Sequence, residues 1–190
     1  MPQGEGPLSA AKPHIIAGMP MYNEEETIGS VVTRALRYVD EVICIDDGSS
    51  DASARIAEAC GATVIRHRVN RGYGGALKTL FLRAAELDAD ALVLLDSDGQ
   101  HETSDIPKLL APILSGEADF AIGSRFVDGG GGTDMPAYRR LGIKVITAAS
   151  NLSSELGIRD TQSGFRAFSR TALNRLRFDS EGMELSLEML

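Results

Sequence analysis

Two aspartates stand one residue apart where an apolar run ends, in the stretch ALVLLDSDGQH (91–101). In extended chain, residues i, i+2 and i+4 point the same way, so Asp96, Asp98 and Gln100 could present three oxygen ligands to one side. Two neighbouring carboxylates repel each other unless a cation lies between them. Mg²⁺ is usually held by one or two carboxylates together with substrate phosphates. The sequence therefore predicts a Mg²⁺ or Mn²⁺ site that binds a diphosphate. His101 is a further candidate ligand, but a position on the surface or in support of the metal ligands is expected for it. A pair of aspartates that caps a turn would give the same pattern as Asp96 and Asp98.

Apolar runs that read as strands alternate with amphipathic helix patterns along most of the chain, which predicts an α/β fold: a mostly parallel central sheet with helices on both faces. The predicted strands are 14–19, 41–46, 62–66, 91–95 and 119–123, with 164–169 as one more. Asn23 with Glu26 resembles a capping box for the first helix. Ser104 or Asp105 is expected to cap a helix that carries Pro107 in its first turn. The stretch 137–156 is predicted to be helical.

Polar residues follow each of the first five predicted strands, and ligands of such sheets bind beyond the carboxyl ends of the strands. After the second strand, Asp47 could accept a hydrogen bond from a base imide, and Gly48 would let the backbone come close. Arg71 follows the third strand and is assigned to the same nucleotide site. A turn with a helix cap would also explain Asp47 and Gly48. The sequence contains no Walker motif for nucleotide binding. The stretch GYGGAL has Leu77 where a dinucleotide fingerprint needs Gly or Ala, which argues against a dinucleotide site.

The charge of the chain is uneven. Its net charge of −8 argues against broad nucleic-acid binding. The segment 125–170 carries seven cations and four anions, so it has a net charge of +3 and the rest of the chain −11. This basic segment, which includes Arg139 and Arg140, suggests an anionic ligand, although a solvated helix face would look the same.

Two cysteines are too few for a disulfide framework and predict a cytoplasmic protein. No apolar run is long enough to span a bilayer.

We expect one domain. Residues 1–13 read as a flexible tail and 14–190 as a single catalytic domain, whose portion 14–123 binds nucleotide sugar and metal while 124–190 forms an acceptor-side extension. The sequence stops abruptly at Leu190, which predicts that the natural protein continues. The oligomeric state does not follow from the sequence.

Taken in order, six motifs resemble those of the family 2 glycosyltransferases, in the branch similar to dolichyl-phosphate mannose synthase and other polyprenyl-phosphate glycosyltransferases. The motifs are PMYNEE, IDDGSSD, NRGYGGALKTL, LLDSDGQH, GSRF and DTQSGFRAFS. The resemblance implies a GT-A fold, a UDP- or GDP-linked sugar donor, a divalent metal and inversion at the anomeric carbon. It also implies that a polyprenyl or dolichyl phosphate accepts the hexose, and that the protein attaches peripherally to the cytoplasmic face of a membrane. Many lipid-linked members continue into membrane helices and nothing here does, which leaves that attachment open.

The resemblance also carries over individual positions. It places Pro20, Tyr22, Glu24 and Asp47 around the nucleoside and gives Asp96, Asp98 and Gln100 as the metal-binding D-x-D-x-Q. Arg125 matches an arginine near the donor or acceptor phosphates. Three further positions match acceptor-side elements: Arg139, Ser163 and Arg166. Asp160 matches an acidic residue close to the reacting centre.

The nature of the acceptor decides which residues are catalytic. A lipid phosphate is already an anion and needs cationic surroundings, with Arg125 beside the reacting phosphates and Asp98 on the metal. A hydroxyl acceptor would need a general base. Asp160 is then the first candidate, followed by Glu184 or Glu188.

Three other classes of protein share part of this sequence pattern. Aspartyl-phosphate phosphatases share D-x-D-G but place it near the N-terminus and need a later acidic pair. Sugar-1-phosphate nucleotidyltransferases need a basic, glycine-rich loop after the first strand, where this chain has NEEE. A non-catalytic nucleotide-sugar sensor stays open, and intact GSRF and DTQSGFR argue against it.

Overall fold

The computed structural model describes residues 12–123, the backbone of 143–146 and residues 164–175. Its strands are β1 (Ile15–Met21), β2 (Glu41–Asp46), β3 (Thr63–Arg66), β4 (Ala91–Leu94), β5 (Phe120–Gly123), β6 (Ile143–Ile146) and β7 (Arg166–Ser169). Its helices are α1 (Ile28–Ala35), α2 (Ser53–Ala59), α3 (Gly72–Glu86), α4 (Ile106–Leu114) and α5 (Arg170–Arg175). The six strands predicted from the sequence are therefore present, each within two residues of its predicted ends.

The seven strands form one sheet in the order β3-β2-β1-β4-β7-β5-β6. The pairs among β3, β2, β1 and β4 are parallel, whereas β7 runs antiparallel to both β4 and β5, and β6 antiparallel to β5. Five of the seven strands thus point the same way, as predicted. The strand order reverses between β1 and β4, and a crevice at such a switch point is where open α/β sheets bind ligands.

Apolar side chains cover both faces of the sheet, because the alternating residues of each strand point to opposite sides. One face packs against α1, α2 and α4, whose buried residues include Ile28, Val32 and Leu109. The other packs against α3 and α5 through Leu77, Leu80 and Leu173, among others. The prediction of helices on both faces is confirmed.

The start of α1 differs from the prediction. Thr27, not Asn23, occupies the N-cap position, and Glu26 completes no capping box. Asn23 has a left-handed backbone with φ of 56°, a conformation that asparagine tolerates better than most residues. Its Oδ1 instead accepts a hydrogen bond from Ser50 N at 2.9 Å. The asparagine therefore links two loops rather than capping a helix. For α4 the predicted position is confirmed: Asp105 occupies the N-cap position, although its side chain makes no capping hydrogen bond, and a proline stands in the first turn.

The helix predicted over 137–156 is wrong at its centre. Ile143–Ile146 is strand β6, and its residues pair with β5 from Ile143 opposite Gly123 to Ile146 opposite Phe120. Three of its four residues are β-branched, which favours a strand when a sheet edge is available. The rest of that stretch and residues 182–190 lie outside the described residues. The division of the domain near residue 124 stays a prediction for the same reason.

Candidate active site

A pocket of about 350 Å³ opens at the carboxyl ends of β1, β2 and β4, beside the first turn of α3. It is lined by Pro20, Met21, Tyr22, Glu24, Asp47, Asn70, Gly72, Tyr73, Ala76, Asp96, Ser97 and Asp98. Six of these were predicted as site residues: Pro20, Tyr22, Glu24, Asp47, Asp96 and Asp98. The fold therefore brings residues from three separate loops to the switch point between β1 and β4.

The loops after β1 and β2 hold each other through reciprocal hydrogen bonds. Asn23 N donates to Ser49 Oγ at 2.9 Å, and Glu24 N donates to Ser53 Oγ at 2.7 Å. In the other direction, Ala52 N donates to the side chain of Glu25 at 2.8 Å. These bonds satisfy backbone donors that no strand or helix uses. They fix the two loops that carry Tyr22 and Asp47 in the pocket wall.

A single hydroxyl connects the first loop to the D-x-D loop. Thr27 Oγ1 lies 2.8 Å from the carbonyl oxygen of Ser97 and 3.1 Å from Glu24 Oε2. Thr27 is also the N-cap residue of α1. The start of this helix, the side chain of Glu24 and the backbone of the D-x-D loop at Ser97 are therefore linked through one residue.

The carboxylate of Asp47 is buried and held from two sides. Its Oδ1 accepts hydrogen bonds from Arg71 N at 2.9 Å and from His67 Nδ1 at 2.6 Å. Gly48, next in the chain, has φ of +82°, and a Cβ there would lie 3.1 Å from Asn70 N. Only glycine combines this conformation with so close an approach of the β3–α3 loop. Arg71 thus contributes its backbone to the site, although its side chain does not line the pocket.

Asp96 is positioned by residues from two distant parts of the chain. Its Oδ2 accepts a hydrogen bond from His101 Nε2 at 2.9 Å. His101 is only 8% exposed, and its ring stacks on Phe165 with centroids 5.4 Å apart. A Cβ at Gly164 would overlap the carboxyl group of Asp96. His101 therefore supports Asp96 rather than lying on the surface, and the glycine of SGFR makes room for the carboxylate.

Asp98 lines the pocket, and its Oδ1 accepts a hydrogen bond from Gln100 N at 2.9 Å. Gln100 is exposed and does not line the pocket wall. The structure thus brings Asp96 and Asp98 together, while the place of Gln100 as a third ligand stays a prediction.

The described wall of the pocket is strongly acidic. Four carboxylate side chains line it, from Glu24, Asp47, Asp96 and Asp98, and none of the described lining residues is Lys or Arg. An anionic diphosphate would be repelled from such a wall unless a cation came with it. Two carboxylates on one loop provide the oxygen ligands that Mg²⁺ and Mn²⁺ prefer. Within the described ranges, no group of three His, Cys, Asp or Glu side chains could hold a metal ion.

Tyr73 is a site residue that the sequence did not single out. It lines the pocket, where it is 38% exposed. Partial burial, followed by the nearby Asp96 carboxylate, raises the pKa of Tyr73 to about 12, while Arg166 acts in the opposite direction. Like an ordinary tyrosine, its phenol is a hydrogen-bond donor at neutral pH. Arg166 is 3% exposed on β7 opposite Leu94, so its charge lies close to the pocket although it is not part of the described wall.

His67 was also missed. It directly follows Arg66, the last residue of β3, so the rule that polar residues at strand ends form the site could have found it. No spacing in the sequence distinguishes Tyr73 from a structural aromatic residue. The remaining predicted residues lie outside the described part of the chain: Arg125, Arg139, Arg140, Asp160, Ser163, Glu184 and Glu188.

Comparison with known proteins gives consistent matches. The family model described as Glycosyl transferase family 2 matches residues 17–177. The UDP-N-acetylglucosamine–dolichyl-phosphate N-acetylglucosaminyltransferase of Methanococcus voltae is 33% identical over 83% of this chain and 70% of its own length. The undecaprenyl-phosphate mannosyltransferase of Micrococcus luteus is 31% identical over 92% of this chain and 75% of its own length.

Among solved structures, the glucosyl-3-phosphoglycerate synthase of Mycobacterium tuberculosis in complex with Mn²⁺ and UDP-glucose is similar, with a TM-score of 0.68 and 31% identity. The match covers 94% of this chain and 64% of that structure. The fold-class prediction is confirmed by this likeness and by the observed sheet. No helix in the described ranges has the length and apolar character required to cross a membrane.

Proposed function

This chain belongs to glycosyl transferase family 2, and we propose that it moves a hexose from a nucleotide-diphosphate sugar to a polyprenyl or dolichyl phosphate, with inversion at the anomeric carbon. One observation carries the proposal: four carboxylates from three strand-end loops line one pocket without a described Lys or Arg among them. Such a pocket binds a diphosphate together with a divalent cation and rejects the bare anion.

We assign the nucleoside to the part of the pocket lined by Pro20, Tyr22 and Asp47, with Gly48 next to Asp47 in the chain. Tyr22 is 52% exposed beside the pocket, so its ring is available to a planar base. Asp47 offers an acceptor oxygen to an N–H group of the base. Gly48 allows the β3–α3 loop to lie close to the loop after β2. Arg71 N, in the β3–α3 loop, donates to the Asp47 carboxylate and helps to hold it in place.

The diphosphate half contains Asp96 and Asp98, which we propose hold Mg²⁺ or Mn²⁺ with Gln100. The ion would neutralise the charge that develops on the departing nucleoside diphosphate. His101 keeps the Asp96 carboxylate oriented, as partners of metal ligands commonly do. The phenol of Tyr73 lies where it can donate a hydrogen bond to an anionic group in the pocket.

A phosphate acceptor agrees with the charge of the second half of the chain. The net charge of +3 over 125–170 would attract a lipid phosphate, with Arg125, Arg139, Arg140, Ser163 and Arg166 as proposed contacts. The names of the curated relatives support this acceptor class. A phosphate oxygen is already nucleophilic, so Asp160 would act as a base only toward a hydroxyl acceptor. We place the enzyme in the cytoplasm, at the membrane surface that holds such lipids.

A transfer assay tests the proposal. The protein is incubated with UDP- or GDP-linked sugars, with and without Mn²⁺, and with a short polyprenyl phosphate, 3-phosphoglycerate or no acceptor. We expect Mn²⁺-dependent transfer to the polyprenyl phosphate. Transfer to 3-phosphoglycerate alone would contradict the lipid acceptor, and Mn²⁺-dependent binding without turnover would indicate a sensor.

Two variants identify the metal site in that assay. Asp98→Asn keeps the side-chain oxygen that accepts the hydrogen bond from Gln100 N but removes the charge, and we expect it to lose activity at least 100-fold. Asp88→Asn, at an exposed position outside the pocket, is the matched control and should retain activity. Equal activity of the two variants would defeat the metal assignment.

A further inference from the structure

We propose that the pocket binds uracil in preference to guanine and that His67 determines this choice. The inference rests on the proposed function, since it takes the ligand to be a nucleoside diphosphate. It concerns the number of acceptor oxygens that Asp47 can offer, which the sequence alone does not reveal.

One oxygen of Asp47 is already saturated by the protein. A carboxylate oxygen has about two lone-pair sites, and Oδ1 receives His67 Nδ1 at 2.6 Å and Arg71 N at 2.9 Å. A base that enters the pocket would have to displace one of these donors to use Oδ1.

The other oxygen is available from the pocket. Within the described residues, Oδ2 of Asp47 receives no hydrogen bond from the protein. The same residues contain no fully buried side-chain oxygen or nitrogen without a partner. Oδ2 therefore retains contact with solvent, although Asp47 as a whole is only 4% exposed. Asp47 is one of the residues that line the pocket, and we take the solvent contact of Oδ2 to be on the pocket side.

His67 keeps this arrangement rigid. Its side chain is 7% exposed, and its Nε2 lies 2.9 Å from Thr79 Oγ1 on α3. The same hydroxyl lies 3.1 Å from the carbonyl oxygen of Gly75, one turn earlier in that helix. The imidazole is thus fixed against α3 at one nitrogen and holds Asp47 with the other. The carboxylate cannot rotate to offer both oxygens without breaking a buried hydrogen bond.

The two bases make different demands on such a group. Uracil presents one N–H, at N3, flanked by two carbonyl oxygens, so a single acceptor satisfies it. Guanine presents N1–H beside the N2 amino group, and a carboxylate binds this pair best with both oxygens. With one oxygen available, the guanine amino group would lose its partner on entering the site, and a site that leaves a buried polar group unpaired discriminates strongly. The pocket therefore fits uracil.

Calorimetric titration with Mn²⁺ and UDP, GDP or IDP tests this inference in the unmodified protein. We expect UDP to bind at least tenfold more tightly than GDP. IDP, which has the purine ring and N1–H of GDP but lacks the amino group, should bind more tightly than GDP. GDP binding as tightly as UDP, or IDP no more tightly than GDP, would overturn the inference. Failure of all three to bind with Mn²⁺ would instead contradict the proposed function.

Variants at position 67 test the role of the histidine. His67→Leu removes the donor to Oδ1 and should reduce the ratio of UDP affinity to GDP affinity at least threefold. His67→Asn places an amide N–H near the position of Nδ1 and should restore this affinity ratio, whereas a loss of packing would affect both variants alike. Thr79→Val removes the hydroxyl that contacts Nε2 and is the control for the contact between His67 and α3. Circular dichroism confirms that each variant is folded. An unchanged ratio in folded His67→Leu would refute the assignment, and the IDP comparison decides the base preference if that variant does not fold.

Discussion

The substitution Gly164→Ala tests how the D-x-D loop is held. A Cβ at position 164 would overlap both oxygens and Cγ of Asp96, whereas real Cβ atoms keep at least 3.0 Å from other heavy atoms. The carboxylate would therefore have to move by about 1 Å, a displacement that can lower the rate of a catalytic site by about two orders of magnitude. It cannot turn aside freely, because Oδ2 is bonded to His101 and the His101 ring is stacked on Phe165.

Disturbing the partner of a metal ligand typically weakens metal binding 10- to 100-fold, or about 1.4–2.7 kcal/mol. We expect this loss for Gly164→Ala in the Mn²⁺-dependent affinity for UDP, measured by titration calorimetry. Gly116→Ala is the control: Gly116 has φ of +75° and nothing within 4 Å of an added Cβ, so the variant should lose stability but keep its affinity. Folded Gly164→Ala with unchanged affinity would refute the view that this glycine makes room for Asp96.

Other changes lead to outcomes of different kinds. Gly48→Ala should lower the free energy of unfolding by roughly 1–2 kcal/mol because of its positive φ, as measured by urea denaturation, and a variant as stable as the parent would contradict this. His101→Ala should weaken Mn²⁺-dependent binding 10- to 100-fold, whereas His101→Gln retains a donor for Asp96 and should restore it in the same titration. Burial, with a smaller contribution from Asp46, raises the pKa of Cys44 from 9.0 to about 12. The stability that Cys44 contributes as a neutral thiol is therefore present below pH 9 and lost as the pH rises toward 12. Between pH 9 and 12 the free energy of unfolding should therefore fall less steeply in Cys44→Ala than in the parent, by up to about 1.4 kcal/mol per pH unit. An identical fall in the variant and the parent would contradict this prediction.

The predictable part of the fold follows from local pattern. Buried parallel strands are apolar throughout, so β1, β2 and β4 stand out in the sequence. Parallel strands meet at one edge of the sheet, which is why Asp47 and Asp96 could be placed together without coordinates.

The features that escaped prediction depend on contacts between distant residues. Asn23 has the residue type of a helix cap, but bonds to the loop after β2 hold it in a left-handed conformation. Strand β6 forms against the edge of β5, and nothing within 137–156 announces that partner. His67 and Gly164 act on Asp47 and Asp96 from other elements, and only the folded chain reveals which carboxylate each one touches.

A crystal structure of this protein with Mn²⁺ and UDP would show whether the paired aspartates hold the metal. We expect one ion bound to the carboxylates of Asp96 and Asp98 and to the diphosphate, with the base beside Asp47. An ion bound elsewhere, or a nucleotide lodged outside this pocket, would contradict it.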